Sequence, residues 1–98
     1  MKLTPAQVGM TSLLGQKLRM GDLGKGSLPK RIKAGREFLM RITKQDFGYD
    51  ALRWHDYLWD TNAGGYRWSR RSRSKWTRYV EAAISREDWQ GAVEELLS

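Results

Sequence analysis

Several things are scarce or absent in this 98-residue chain, and each absence narrows the reading. There is no cysteine, so disulfides, thiolate chemistry and cysteine-ligated zinc are excluded. There is one histidine, His55, too few for a His-rich metal site. No apolar run approaches the ~20 residues of a membrane span. The first twenty residues lack the continuous apolar core of a signal peptide, being interrupted by Gln7, Gly9, Thr11 and Ser12, and this predicts an intracellular, cytoplasmic chain. Alternating strand patterns are missing except for a short stretch at 66–69. Most telling, no Asp or Glu occurs anywhere in residues 61–80.

That acid-free stretch contains YRWSRRSRSKWTRY at 66–79, with five Arg, one Lys and four aromatic residues. Net charge is +7 and the pI about 10.1, a surplus that favours acidic partners. The charge comes in blocks. Residues 1–45 carry ten basic and two acidic side chains, 46–60 and 81–98 are net acidic, and 61–80 are purely basic. Guanidinium and ammonium groups meet phosphates and flat aromatic faces meet bases, so DNA or RNA is the leading partner. Arg67, Arg70, Arg71, Arg73, Lys75 and Arg78 are the expected phosphate contacts. Trp68 and Tyr66 are possible stackers, while Trp76 and Tyr79 fall on an apolar helix face and belong to the core. The bland alternative is a solvated loop whose Arg groups pair with the acids at 46–60 and 81–95. Ser69, Ser72 and Ser74 interleave the charge and could accept phosphate, which would reverse it locally. A second basic block runs from Lys30 to Lys44, with Arg31 and Lys33 expected to face solvent, and would extend the first if the fold placed the two side by side.

Periodicity predicts an all-α single domain of four or five short helices with a basic Arg/Ser-rich connecting arm. Thr4 before Pro5 starts the first helix, with Met10, Leu13, Leu14 and Leu18 on one face and Gly9 and Gly15 weakening it. The second is expected at 29–43 with Ile32, Gly35, Leu39 and Ile42 inward. A turn around Gly48 leads to a third at 51–60, capped by Asp50. Trp76, Tyr79, Val80, Ala83 and Ile84, then Trp89, Ala92, Val93, Leu96 and Leu97, make two amphipathic helices joined by a tight turn. Ser85 with Asp88 resembles a capping box at that junction.

Other motifs carry less. A helix-turn-helix at 75–97 would bring Glu87, Asp88, Glu94 and Glu95 towards phosphates, which disfavours it. The basic helix near 30–43 is a better groove binder but lacks Asn or Gln base readers. The loop GDLGKGS at 21–27 departs from the Walker pattern, because Gly26 follows Lys25. Asp46-Phe47-Gly48 lacks every other kinase segment. His55 and Asp56 are adjacent on a helix and point apart, and Asp46, Asp50, Asp56 and Asp60 each suit a cap or an exposed position. The expectation is a non-enzymatic protein without a cofactor or metal.

Residues 39–59, LMRITKQDFGYDALRWHDYLW, resemble the Leu-Thr-Gly-x-Asp-Phe-Gly-x-Asp motif with spaced tryptophans that closes HEAT-like helical repeats in some large bacterial proteins. Ile42, Thr43, Asp46, Phe47, Gly48, Asp50 and Trp54 match, whereas Lys44 stands for the motif's Gly and Ala51 for the Pro that often follows. The resemblance implies a helix, an Asp/Gly-dependent turn and an aromatic helix packing back, with no catalytic residues. It favours the rival function, a protein-interaction module (an inhibitor, immunity factor or assembly subunit) that meets an acidic protein partner through an exposed Trp54 and Trp59 patch.

Overall fold

A computed structural model describes residues 4–16, 27–68 and 72–98. Among these, the chain forms five α-helices and no strand: α1 Pro5–Leu13, α2 Leu28–Thr43, α3 Ala51–Thr61, α4 Arg73–Ile84 and α5 Glu87–Leu97, with a 3-10 turn at Ala63–Gly65. The all-α bundle expected from periodicity is thus observed, and the strand suggested at 66–69 is absent where residues are described. Among the described residues no helix is long and apolar enough to cross a membrane.

Thr4 and Gln7 close α1 reciprocally: the Gln7 amide donates to Thr4 Oγ1 at 3.4 Å, and the Thr4 amide donates to Gln7 Oε1 at 3.1 Å, a capping box ahead of Pro5. The helix is buried almost all round, from Ala6 to Leu13 with only Thr11 half-buried. The one-faced helix expected from the sequence is therefore a central one. Leu18 lies outside the described residues.

α2 runs antiparallel to α1. Ala6 and Ile42 both flank Gly64, Gly9 meets Leu39, Gly35 meets Leu13, and the Ser12 hydroxyl donates to the Arg31 carbonyl at 2.7 Å. The glycines that weaken the helices locally permit this contact. A Cβ on Gly35 would fall 2.2 Å from the Leu13 amide nitrogen and 2.8 Å from the Gly9 carbonyl oxygen. The two backbones touch because neither glycine has a side chain there.

α2 ends with Lys44 in the left-handed region (φ 61°). Asp46 then organises the turn, its Oδ1 accepting the Gly48 amide at 2.8 Å while Arg36 binds both carboxylate oxygens at 3.2 and 2.9 Å. This pair holds the Asp46 carboxyl below its ordinary pKa and the Arg36 guanidinium above its own. Asp50 caps α3 through the Arg53 amide, and the Trp54 indole donates back to the Gly48 carbonyl at 2.9 Å.

The α4–α5 junction departs from the expected capping box. Arg86, not Ser85, is the N-cap, and the Ser85 hydroxyl donates to the Ala82 carbonyl. Asp88 instead takes the Arg86 guanidinium and the Trp89 amide. Trp89 anchors α5 to the centre by donating its indole N–H to the Leu13 carbonyl at 3.0 Å, one of the carbonyls a helix end leaves unpaired.

Candidate nucleic-acid interface

The segment after α3 turns sharply because three residues adopt positive φ: Asn62 (51°), Gly64 (60°) and Gly65 (74°). Glycine takes this conformation without a steric penalty, and asparagine is among the residues that tolerate it. Asn62 Oδ1 then accepts the Arg67 amide at 2.9 Å, and the Trp68 amide donates to the Gly65 carbonyl at 2.9 Å. Gln7 completes the clamp from α1. Its buried side-chain amide donates to the carbonyls of Tyr66 at 3.2 Å and Trp68 at 2.8 Å. The backbone of 66–68 is thus held from both sides.

The side chains on that backbone diverge. Tyr66 turns inward and is fully buried. Its ring packs 4.8 Å from Trp76 and edge-on to His55 and Trp59. Tyr66 is therefore a core residue, which corrects its expected role as a stacker. Its hydroxyl was better satisfied inside, 2.8 Å from His55 Nδ1. Arg67 and Trp68 turn outward, and the Trp68 side chain is 78% exposed.

His55 ties three elements together. Its Nε2 lies 2.9 Å from Thr77 Oγ1, and Thr77 gives its one proton to the Arg73 carbonyl at 2.9 Å. Nε2 must then carry the hydrogen, which leaves Nδ1 to accept from Tyr66. Burial, the largest influence, pushes the His55 pKa below its ordinary value. Arg73 adds to this, while Asp56 and Asp60 oppose it.

The expected phosphate contacts separate into groups. Arg73 is engaged, with Asp56 at 3.2 Å and Asp60 at 3.7 Å, so here the solvated ion-pair alternative is what the structure adopts. Arg67, Lys75 and Arg78 are exposed and form no ion pair among the described residues. Lys75 and Arg78 sit one turn apart on α4, whose Ser72 N-cap accepts the Lys75 amide at 3.3 Å. Arg70 and Arg71, with Ser69, lie outside the described residues, as does most of the 21–27 loop.

The first part of the second basic block, residues 30–33, is not brought alongside, whereas its exposed Arg41 and Lys44 stand at the other end of α2. Lys30 and Lys33 are exposed at the start of α2, whereas Trp68 is tethered to the start of α1, beside the end of α2. Antiparallel packing puts about 18 Å of helix axis between these places, at ~1.5 Å per residue. Arg31 departs further from expectation. It is half-buried, and its Nε donates to the Gly15 carbonyl at 3.3 Å, where it closes the end of α1 rather than facing solvent.

The aromatic patch expected to meet a protein partner is corrected at Trp54 alone. Trp54 is fully buried, edge-on to Phe47 at 4.8 Å, and Trp59 is half-buried beside His55 and Tyr66. The four aspartates serve separate ends: Asp46 binds Arg36, Asp50 caps α3, and Asp56 and Asp60 meet Arg73. Sequence reasoning missed Gln7. The Thr4–x–x–Gln7 spacing signals a cap, but nothing local signals that the same amide reaches residue 68.

Comparison of the chain with protein-family models, curated proteins and solved structures found no significant match in any of the three.

Proposed function

We propose that this protein is a small, non-enzymatic nucleic-acid-binding domain that contacts the phosphate backbone with little sequence preference. The observation that carries this reading is the set of exposed cations Arg67, Lys75 and Arg78, which have no acidic partner among the described residues. They lie in a twenty-residue stretch that contains no acid at all. Cations without a protein counter-charge are available to displace the counterions condensed on a polyphosphate. Arg70 and Arg71 add charge to the same stretch of sequence. The 39–59 segment is read as scaffold, since Asp46, Phe47, Gly48, Asp50 and Trp54 are engaged with one another and with Arg36, Arg53 and Tyr57.

Fluorescence anisotropy with labelled single- and double-stranded DNA and RNA tests the reading. Neutralising about three to six phosphates predicts an affinity loss of roughly 20- to 300-fold for a single strand, and up to about 2,000-fold for a duplex, between about 50 and 200 mM salt. No binding at the lower salt would overturn the proposal and turn the search to an acidic protein partner for the same cations.

A further inference from the structure

Trp68 is not explained by phosphate contact. It is a large apolar side chain, 78% exposed, and the structure spends three hydrogen bonds on the backbone that carries it: Trp68 N–H to Gly65, and Gln7 to the carbonyls of Tyr66 and Trp68. The adjoining Arg67 amide is fixed as well, by Asn62. A bulky side chain exposed only for lack of room would gain nothing from a pinned backbone. An indole held outward beside a free guanidinium is a preformed stacking surface, and preorganisation of this kind lowers the entropic cost of binding.

We infer that Trp68 stacks on an unpaired base, so the nucleic acid this protein takes is single-stranded, DNA or RNA, rather than duplex. The inference rests on the nucleic-acid reading above and goes beyond it. Bases inside a duplex already stack on their neighbours, and an indole reaches them only by unstacking a step at a cost of a few kcal/mol. The bases of a single strand offer open faces, and any base will do. Arg67 lies next in the chain to Trp68, so its guanidinium can meet the phosphate adjoining the stacked base. The exposed Lys75 and Arg78 on α4 belong to a helix joined to the same turn by the Tyr66–Trp76 ring pair and by His55, which bridges Tyr66 and Thr77. Neither α4 nor α5 suits the groove of a duplex: among their exposed positions the acids Glu81, Glu87, Glu94 and Glu95 outnumber Lys75 and Arg78 once Arg73 is paired with Asp56 and Asp60 and Arg86 with Asp88, and the more basic α2 lacks Asn or Gln base readers.

The test uses the full chain and its Trp68→Ala variant, titrated by anisotropy against about 20-nucleotide single strands of DNA and of RNA and against the matching duplex. Because Trp68 is exposed, the variant keeps the helical circular-dichroism spectrum of the parent. Trp68→Ala is expected to lower single-strand affinity roughly 5- to 150-fold, the effect of losing one stacked base, and duplex affinity by less than about threefold. Trp68→Phe should recover most of the loss. The DNA and RNA arms show which single strand is taken. Salt-sensitive binding with equal affinity for both strand types, or with the same single-strand affinity in Trp68→Ala, would overturn this inference while leaving the phosphate-binding reading intact. Failure of the parent chain to bind any of the three would overturn both.

Discussion

Lys44 is the residue at which local chemistry and backbone disagree most openly. It holds φ at 61°, a conformation that costs a side-chain-bearing residue about 1–2 kcal/mol, at the C-cap where helices commonly place glycine. The turn motif it resembles has Gly there. Lys44→Gly should therefore stabilise the fold by about 0.5–1 kcal/mol, the strain relieved less the added freedom of the unfolded chain, and urea denaturation would show this as a higher midpoint. Gln7 makes the opposite point. Its terminal amide donates to two carbonyls 59 and 61 residues away, so Gln7→Leu leaves both without that donor and should cost about 1–3 kcal/mol. Hydrogen exchange at the amides of 66–68 should accelerate more than at those of α5. Thr4 was legible as a cap because a cap is local; the reach of Gln7 to Trp68 was not, because it depends on where the fold brings residue 68.

Two devices hold the elements together, and both can be tested. The first is the glycine contact between α1 and α2. Gly35→Ala gains helix propensity but drives a methyl into the Leu13 and Gly9 backbone, and overpacking of this kind should leave a net loss of about 2 kcal/mol. Gly91→Ala, on the open side of α5 with nothing within 4 Å, should instead gain about 0.5–1 kcal/mol. The second device is His55, which joins α3 to the 66–68 turn and to α4. Its pKa is lowered in the folded state by burial, so below about pH 6.5 the unfolded chain binds a proton that the folded chain resists. Stability is fully present above that pH and falls as the pH drops towards the folded-state value. Melting temperatures from pH 7.5 to 5 should fall more steeply in the parent than in His55→Gln, which is less stable throughout. Helix positions were readable from the 3.6-residue period because burial repeats with it, and α2, α3, α4 and α5 follow that pattern, save that Leu97 at the end of α5 is exposed. The period could not reveal that α1 is enclosed on nearly all sides, since Gln7, Gly9 and Ser12 look polar or small but are buried by neighbours distant in sequence.

At the scale of the whole molecule, the charge blocks visible in the sequence are only partly blocks in space. The basic 61–80 stretch keeps Arg67, Lys75 and Arg78 exposed, yet it surrenders Arg73 to Asp56 and Asp60. Lys30 and Lys33 sit at the far end of α2, and Arg31 is drawn into the closure of α1. Composition could say that cations were in surplus, but not which of them the fold would neutralise. Of the tryptophans read as candidate contacts, Trp54 went to the core, held by Gly48 and Phe47, and Trp68 to the surface beyond the turn at 62–65. The central claim is that the unpaired cations bind phosphate. Its most direct test is the slope of log affinity against log salt for a single strand, measured for the parent and for the combined Arg67→Ala, Lys75→Ala and Arg78→Ala variant. If each of the three cations neutralises one phosphate, the variant's slope is shallower by about 2 and its affinity is lower for every sequence tried. An unchanged slope and affinity in a folded variant would contradict the account.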